Sequence, residues 1–179
     1  MSQVGTVYAQ ALYSLTKDEA CSEIVLQELT VLKESFEQEP DFPRLLSAPN
    51  LSKEERCGIL DSSFRGKVQP YVLNFLKILT EKGYMRHFSD CCKAFRQFYN
   101  EDHGILEVFA YTAIPLTEDQ KERLSQKLQA VTGKTIDLYN RVDPSCLGGV
   151  RLDYDGKRMD DTVEHRLRSI SALLKNTVL

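Results

Sequence analysis

The hydrophobic period of this sequence changes near Gly104, and the change limits the folds that the chain can adopt. Over residues 85–99 apolar side chains recur every three or four positions, which is the spacing of one face of an α-helix. Over residues 105–115 the pattern alternates with a period of two, as in a half-buried strand. We therefore expect an α+β chain, with an N-terminal six-helix antiparallel bundle over residues 1–104 and a small C-terminal α/β domain over residues 105–179.

Proline, glycine and capping residues mark the ends of the six expected helices. Pro40 and Pro43 interrupt the helical pattern, and Gly83 ends the fifth segment. Ser52 followed by Glu55 three residues later has the pattern of a capping box. The connections are short and carry no strand signal, which favours antiparallel neighbours in a bundle. One face of the first helix is expected to present Val4, Tyr8, Leu12 and Leu15.

The fifth helical segment, residues 68–81, is apolar around most of its circumference. A helix that is apolar on more than one side needs more than one packing partner. We therefore expect this helix to expose apolar surface that a second protein covers. The residues concerned are Tyr71, Val72, Leu73, Phe75, Leu76, Ile78 and Leu79.

The C-terminal part is expected to alternate strands with helices. Thr117 is placed to cap a helix that ends at Gly133, and a second strand ends near Val142. Gly148-Gly149 then allows the chain to begin a third strand, and Asp155-Gly156 suits a two-residue hairpin turn. A last amphipathic helix, with Asp160 as its expected N-cap, carries Val163, Leu167, Ile170 and Leu174.

Charge and hydropathy restrict the class of partner. The chain has 23 Lys and Arg against 26 Asp and Glu, and neither half is basic, so nucleic acid is not expected to bind. No stretch reaches the roughly 18 to 20 apolar residues of a membrane span, so any link to a membrane is expected to be indirect. Partners are therefore expected to be proteins.

Five cysteines form no C-x-x-C pair, and no leader is evident at the N-terminus. A cytosolic chain with reduced, mostly buried thiols is expected, and a redox role for Cys91-Cys92 is disfavoured by helix geometry.

Candidates for chemistry are each better explained by local structure. Gly148-Gly149 lacks the spacing of a dinucleotide loop and precedes a strand instead of a helix. The aspartates between Asp143 and Asp161 lack the EF-hand spacing. Ser145-Cys146 with His165 lacks a third, orienting group. We therefore predict no catalytic residue, no cofactor and no metal site.

Several short motifs resemble one known family. Residues 8–12 read YAQAL, residues 142–150 read VDPSCLGGV, and Asp160 to Val163 are followed by Arg166-Leu167. In this order and spacing the motifs resemble the delta subunit of the bacterial F-type ATP synthase, the family that includes the mitochondrial oligomycin-sensitivity-conferring protein. The resemblance covers essentially the whole chain. The chain departs from the usual family residues at Val7, Tyr84, Asp161 and Glu164.

The resemblance implies a non-catalytic stator subunit that couples rotor torque to ATP synthesis, acting as a monomer within the complex at the cytoplasmic face of the membrane. It implies that the helical bundle binds the catalytic head through the N-terminal helix of an alpha subunit. The matching positions are Val4, Tyr8, Ala11, Leu12, Leu73, Leu76 and Leu79. It further implies that the C-terminal domain binds the b subunits of the peripheral stalk. The matching positions are Asp143, Gly148, Gly149, Asp160, Arg166, Leu167, Ile170 and Leu174.

Two other interpretations remain open from the sequence. One is a small soluble enzyme with a site between the domains, suggested by His103 at the hinge and by His165. The other is a helical regulator that binds some other protein.

Overall fold

The computed structural model describes residues 2–48, 51–163 and 165. The chain divides into two compact units, Met1–Tyr99 and Asn100–Leu179. The described residues contain seven α-helices and one four-stranded sheet, so the fold is α+β as expected. Within these residues no helix combines the length and the hydropathy that crossing a membrane requires.

The first unit is helical, and its helix ends follow the capping chemistry of the sequence. Its helices are α1 Gln3–Asp18, α2 Ser22–Gln38, α3 Asp41–Leu46, α4 Lys53–Phe64, α5 Pro70–Glu81 and α6 Phe88–Asp102, with a 3₁₀ turn Met85–His87 before α6. The Ser2 hydroxyl accepts a hydrogen bond from the N–H of Gly5 and caps α1. Ser52 and Glu55 form the predicted capping box at the start of α4.

Buried apolar side chains from the helices form one continuous core. The ring of Tyr13 meets the fully buried Phe95 edge to face, with centroids 5.4 Å apart, and so joins α1 to α6. Phe36, Phe42 and Phe64 join α2, α3 and α4 in a second aromatic cluster. These contacts tie helices distant in sequence into a single packed unit.

Helix α5 corrects one expectation. Val72, Leu76 and Leu79 are fully inaccessible, and Leu73 and Phe75 are buried. Ile78, with 43% of its surface exposed, is the large apolar side chain of α5 that remains open. The broad uncovered surface predicted for this helix is therefore absent, because its own domain supplies the neighbours that it needs.

The second unit is a four-stranded sheet with one helix between its first two strands. Its elements are β1 Ile105–Thr112, α7 Glu118–Thr132, β2 Thr135–Val142, a 3₁₀ turn Pro144–Cys146, β3 Val150–Tyr154 and β4 Lys157–Asp160. The order across the sheet is β2-β1-β3-β4. Strands β1 and β2 are parallel, whereas β3 is antiparallel to β1 and to β4. The capped α7 and the hairpin after β3 occur where the sequence predicts them.

The two faces of the sheet differ. Leu106, Val108, Ala110 and Leu152 form a small core, against which α7 packs the half-buried Leu124 and Leu128. On the other face, the guanidinium of Arg151 lies 4.2 Å from the ring centroid of Tyr111. No residue of α7 is fully buried, so this unit has a much smaller core than the helical one.

The chain after β4 begins a helix, but Asp160 is not the residue that caps it. Val163 and His165 have helical backbone, and the hydroxyl of Thr162 accepts a hydrogen bond from the N–H of His165 at 3.2 Å. Asp160 instead accepts from the N–H and the hydroxyl of Thr162, at 3.1 and 2.7 Å. The predicted sites Arg166, Leu167, Ile170 and Leu174 lie outside the described residues.

Candidate partner-binding surfaces

The residues matched to a head interface fall into two groups. Leu12, Leu73, Leu76 and Leu79 lie in the core of the helical unit, where they pack its own helices together. Val4 and Tyr8 are half-buried, and Ala11 is exposed. Of the seven positions, only these last three can present surface to a partner while the unit stays folded.

Helix α1 exposes two large apolar side chains that the sequence analysis did not assign to a partner. Val7 has 60% of its surface exposed, and Leu15 is also exposed, although we expected it to share a face with Leu12, which is buried. Val7, Ala11 and Leu15 are four residues apart and therefore form one ridge along the helix, here called the α1 ridge. This four-residue spacing is visible in the sequence and is the signal from which the ridge could have been predicted.

The α1 ridge lies in an uncharged stretch. From Gln3 to Thr16 the helix carries no charged residue, and the positions beside the ridge include Gln10 and Ser14. A partner that covered this face would therefore desolvate apolar groups and neutral polar groups, and no side-chain charge of α1 in that stretch. Such a surface suits the apolar face of another helix.

Two carboxylates of the helical unit accept hydrogen bonds from backbone N–H groups at the starts of other helices. The backbone N–H of Ser2 donates to Oδ2 of Asp90 at 3.1 Å, which joins the start of α1 to α6 and lowers the pKa of Asp90. The carboxylate of Glu28 on α2 accepts from the backbone N–H of Gln69 and caps α5. Tyr8 meets Tyr84, just beyond α5, edge to face at 5.8 Å.

In the second unit, four predicted stalk-motif residues lie at one end of the sheet. Asp143 begins the 3₁₀ turn and accepts from the N–H and the hydroxyl of Ser145, at 3.1 and 2.6 Å. Gly148 accepts a backbone hydrogen bond from Val163, and Gly149 packs against Asp161. Asp160, which ends β4, forms the turn with Thr162. These residues build local backbone structure and present little apolar surface.

Arg151 lies near two of the aspartates at this end of the sheet, Asp143 and Asp160. The sequence analysis did not single it out. Its Nη2 atom lies 3.6 Å from Oδ2 of Asp143, and Arg151 is opposite Asp160 in the β3–β4 ladder. The hydrogen bonds from Ser145 lower the pKa of Asp143, those from Thr162 lower the pKa of Asp160, and Arg151 acts in the same direction on both. Both aspartates therefore carry charge at neutral pH.

Exposed apolar side chains surround the same end of the sheet. Leu147 is 67% exposed and has a positive φ of 57°, a backbone conformation that a large apolar residue rarely adopts. Ile114, Val142 and Val163 are also exposed. Backbone hydrogen bonds place these positions near one another, from Asp143 to Thr112 and from Val163 to Gly148. We call Ile114, Val142, Leu147 and Val163 the sheet-end apolar set.

The described residues do not assemble a metal centre. Among them, no group of three or more His, Cys, Asp or Glu side chains is arranged to hold an ion. Cys91 and Cys92 are free and buried, and burial raises their pKa values to about 11 and about 12. Thiols with such pKa values are protonated at neutral pH and are poor nucleophiles.

Comparisons with known proteins agree on one family. The family model described as ATP synthase delta (OSCP) subunit matches residues 4–174. The chain is 31% identical over 172 residues to an ATP synthase subunit delta of Alkaliphilus oremlandii, covering 96% of each chain. It is 34% identical over 169 residues to an ATP synthase subunit delta of Lactobacillus gasseri, covering 94% of this chain and 92% of the relative.

A solved structure has the same fold. A chain in the cryo-EM structure of the Toxoplasma gondii mitochondrial ATP synthase hexamer superposes with a TM-score of 0.74 at 21% identity. The match covers 97% of this chain and 98% of that chain. At this identity the likeness concerns the fold alone.

Proposed function

Because the chain belongs to the ATP synthase delta (OSCP) family, whose members are non-catalytic components of the stator, we propose that it joins the catalytic head to the peripheral stalk through two separate surfaces. The interpretations as a small enzyme and as a free-standing regulator are set aside by this membership. Two attachments on one chain provide a mechanical link, which must dissociate slowly to resist the torque of the rotor.

The first surface is the α1 ridge, with Val4 and Tyr8 beside it, and its proposed partner is the N-terminal helix of an alpha subunit. The observation that carries this assignment is an exposed apolar ridge in an uncharged stretch of helix. Ala11 lies between Val7 and Leu15, and a small residue between two larger ones lets a partner side chain approach the backbone closely. Ile78 on α5 adds exposed apolar surface. Leu12, Leu73, Leu76 and Leu79 support this surface from the core.

The second surface is the sheet-end apolar set, and its proposed partners are the b subunits of the stalk. Leu147 is exposed and has a positive φ. Its side chain is not part of the core of its own unit. Asp143, Gly148, Gly149 and Asp160 shape the backbone that presents it. Arg166, Leu167, Ile170 and Leu174 continue the proposed interface along the chain.

The finer features of the resemblance belong to the same proposal. We propose that α1 to α6 form an antiparallel six-helix bundle over residues 1–104 and that residues 105–179 form the stalk-binding domain. The protein would act as one copy within the complex at the cytoplasmic face of the membrane, with no nucleic acid partner. The shared core of the six helices supports the first part of this description.

Nuclear magnetic resonance on the full-length chain tests the head contact. A peptide of the alpha-subunit N-terminal helix should shift the amide signals of residues 4–15 and of Ile78, and leave those of β1 to β4 unchanged. Absence of shifts along α1 at saturating peptide would reject the head contact. A separate titration with the extramembrane part of the b subunits should shift signals near Leu147 and Val163 only.

A further inference from the structure

We propose that Gly149 is a positioning residue: together with Thr162 it clamps the start of the C-terminal segment to β3, and stalk binding depends on this clamp. The inference rests on the proposed stalk contact and goes further, because it assigns a specific role to a glycine, which has no side chain to offer to a partner. We call the two facing segments, residues 148–150 and 160–163, the β3 clamp.

Gly149 is required by close contact between two backbones. A β-carbon at this position would overlap the carbonyl oxygen of Asp161 and would lie 3.1 Å from the Cα atom of Thr162. These are backbone atoms, which cannot rotate away as the end of a flexible side chain can. Gly149 also has a φ of 81°, where residues with a β-carbon are strained. The segment that follows β4 therefore packs directly on Gly149.

Hydrogen bonds on either side of Gly149 fix the same contact. The N–H of Asp161 donates to the carbonyl of Val150 at 3.1 Å, and the N–H of Val163 donates to the carbonyl of Gly148 at 3.0 Å. These bonds extend the β3–β4 pairing, which ends at Arg151 and Asp160, to the pairs Val150–Asp161 and Gly148–Val163. The chain is thereby held to β3 until the helical backbone has begun at Val163.

Thr162 completes the β3 clamp from the other segment. Its side chain is almost fully buried, and its hydroxyl donates to Asp160 while accepting from the N–H of His165. One hydroxyl thus joins the last residue of β4 to the first turn of the helix. This turn and Gly149 together fix the backbone from the end of β4 to Val163.

The Gly149→Ala variant tests the clamp, and Gly156→Ala is its matched control. Gly156 also has positive φ, 70°, but a β-carbon there meets no atom within 4 Å. The two variants therefore carry a similar backbone strain, and only Gly149→Ala collides with the segment after β4. We expect Gly149→Ala to weaken binding of the extramembrane b fragment by about tenfold or more, and Gly156→Ala to leave it near the wild-type value.

Amide hydrogen exchange provides a readout of the clamp that does not depend on the stalk. In Gly149→Ala the amide of Val163 should exchange at least about tenfold faster, while the amides of β1 and β2 keep their protection. Thr162→Val, which removes the hydroxyl and keeps the shape, should have the same effect to a smaller degree. This second variant decides the question if Gly149→Ala does not fold.

The possible results separate the clamp from the stalk contact. Equal b-fragment affinity for Gly149→Ala and Gly156→Ala, or for Thr162→Val and wild type, would overturn the positioning role. Wild-type protein that fails to bind the b fragment would reject the stalk contact of the proposed function, and the dependence proposed here with it. The exchange rate of Val163 would then still show whether that failure left the clamp itself intact.

Discussion

The carboxylate of Glu28 receives the backbone N–H of Gln69 between its two oxygens, at 3.1 and 2.9 Å. Gln69 precedes α5 and makes no capping bond with its own side chain, so a residue of α2 caps this helix. The capping partners are 41 residues apart in sequence. The helix that supplies much of the core therefore depends on a neighbouring helix for its start.

Replacing Glu28 with Ala should lower the free energy of unfolding by about 1 kcal/mol, the usual effect of losing an N-cap. Glu34→Ala provides the control, since Glu34 is an exposed glutamate of the same helix. Urea unfolding of the full-length chain gives both values. A loss no larger for Glu28→Ala than for Glu34→Ala would show that the Gln69 contact does not stabilise α5.

Val7→Glu should weaken binding of the alpha-subunit peptide about tenfold or more, because burial of a valine stabilises by roughly 1.5 kcal/mol or more and the charge must be desolvated. Val31→Glu on α2 is a close control, since the exposed fractions of the two side chains are 60% and 61%. Calorimetric titration of the peptide measures the difference. If both variants bind like the wild type, α1 is not the head surface.

Leu147→Asn should weaken binding of the b fragment while leaving the unfolding free energy equal to or above that of the wild type. Asparagine adopts positive φ more readily than leucine, so the change removes apolar surface without straining the turn. Val131→Asn on α7, at another exposed position, should leave binding unchanged. Retention of full affinity by Leu147→Asn would remove this leucine from the interface.

Asp90 should contribute to stability at neutral pH and lose this contribution in acid. The hydrogen bond from the Ser2 backbone N–H lowers the pKa of Asp90 in the folded state below its ordinary value of 3.8. The contribution is therefore fully present above 3.8 and disappears as the pH falls through the lower, folded-state value. A ¹³C titration of the carboxyl group reports the folded pKa directly.

The variant Asp90→Asn tests the same link. The difference in unfolding free energy between wild type and variant should shrink as the pH falls below 3.8, since both then carry a neutral side chain. A folded-state pKa above 3.8, or a difference that grows in acid, would contradict the hydrogen bond.

Thiol labelling should distinguish the cysteines by burial. In the native protein Cys21 and Cys57, which are both half-buried, should react with an alkylating agent long before Cys91 and Cys92.

A neighbouring carboxylate should slow the labelling of Cys57. Burial and then the charge of Glu81 raise the pKa of Cys57, so Glu81→Gln should lower this pKa and speed the labelling of Cys57. Mass spectrometry follows each site, with Glu34→Gln as the control. Unchanged labelling of Cys57 in Glu81→Gln would refute the effect of that carboxylate.

The sequence predicts local structure well where a few neighbouring residues determine it. The capping box at Ser52, the cap at Thr117 and the hairpin at Asp155-Gly156 each depend on chemistry within a few residues, and all three occur. The family motif at residues 142–150 also draws attention to Gly148 and Gly149, where the chain turns into β3. The sequence cannot show that the backbone of Asp161 lies on Gly149, because that contact depends on strand pairing.

Exposure was harder to predict than secondary structure. An apolar circumference shows that α5 needs several neighbours but does not reveal how many its own domain supplies, and these neighbours bury nearly all of it. On α1, Leu15 was expected to share a face with Leu12, whereas Leu12 is buried together with Ala9, Tyr13 and Thr16, and Leu15 is exposed. The orientation of an amphipathic helix is set by its partners, which the periodicity alone does not identify.

The extra backbone bonds between residues 161–163 and 148–150 also determine how a pulling force would travel through the sheet. A pull on the chain beyond Thr162 must break the bonds to Gly148 and Val150 before it reaches the short edge strand β4. Strand β3 is paired to β1, which is in turn paired along its full length to β2. Force applied to the chain at that point therefore loads β3 first, and through β3 it reaches the strands at the centre of the sheet.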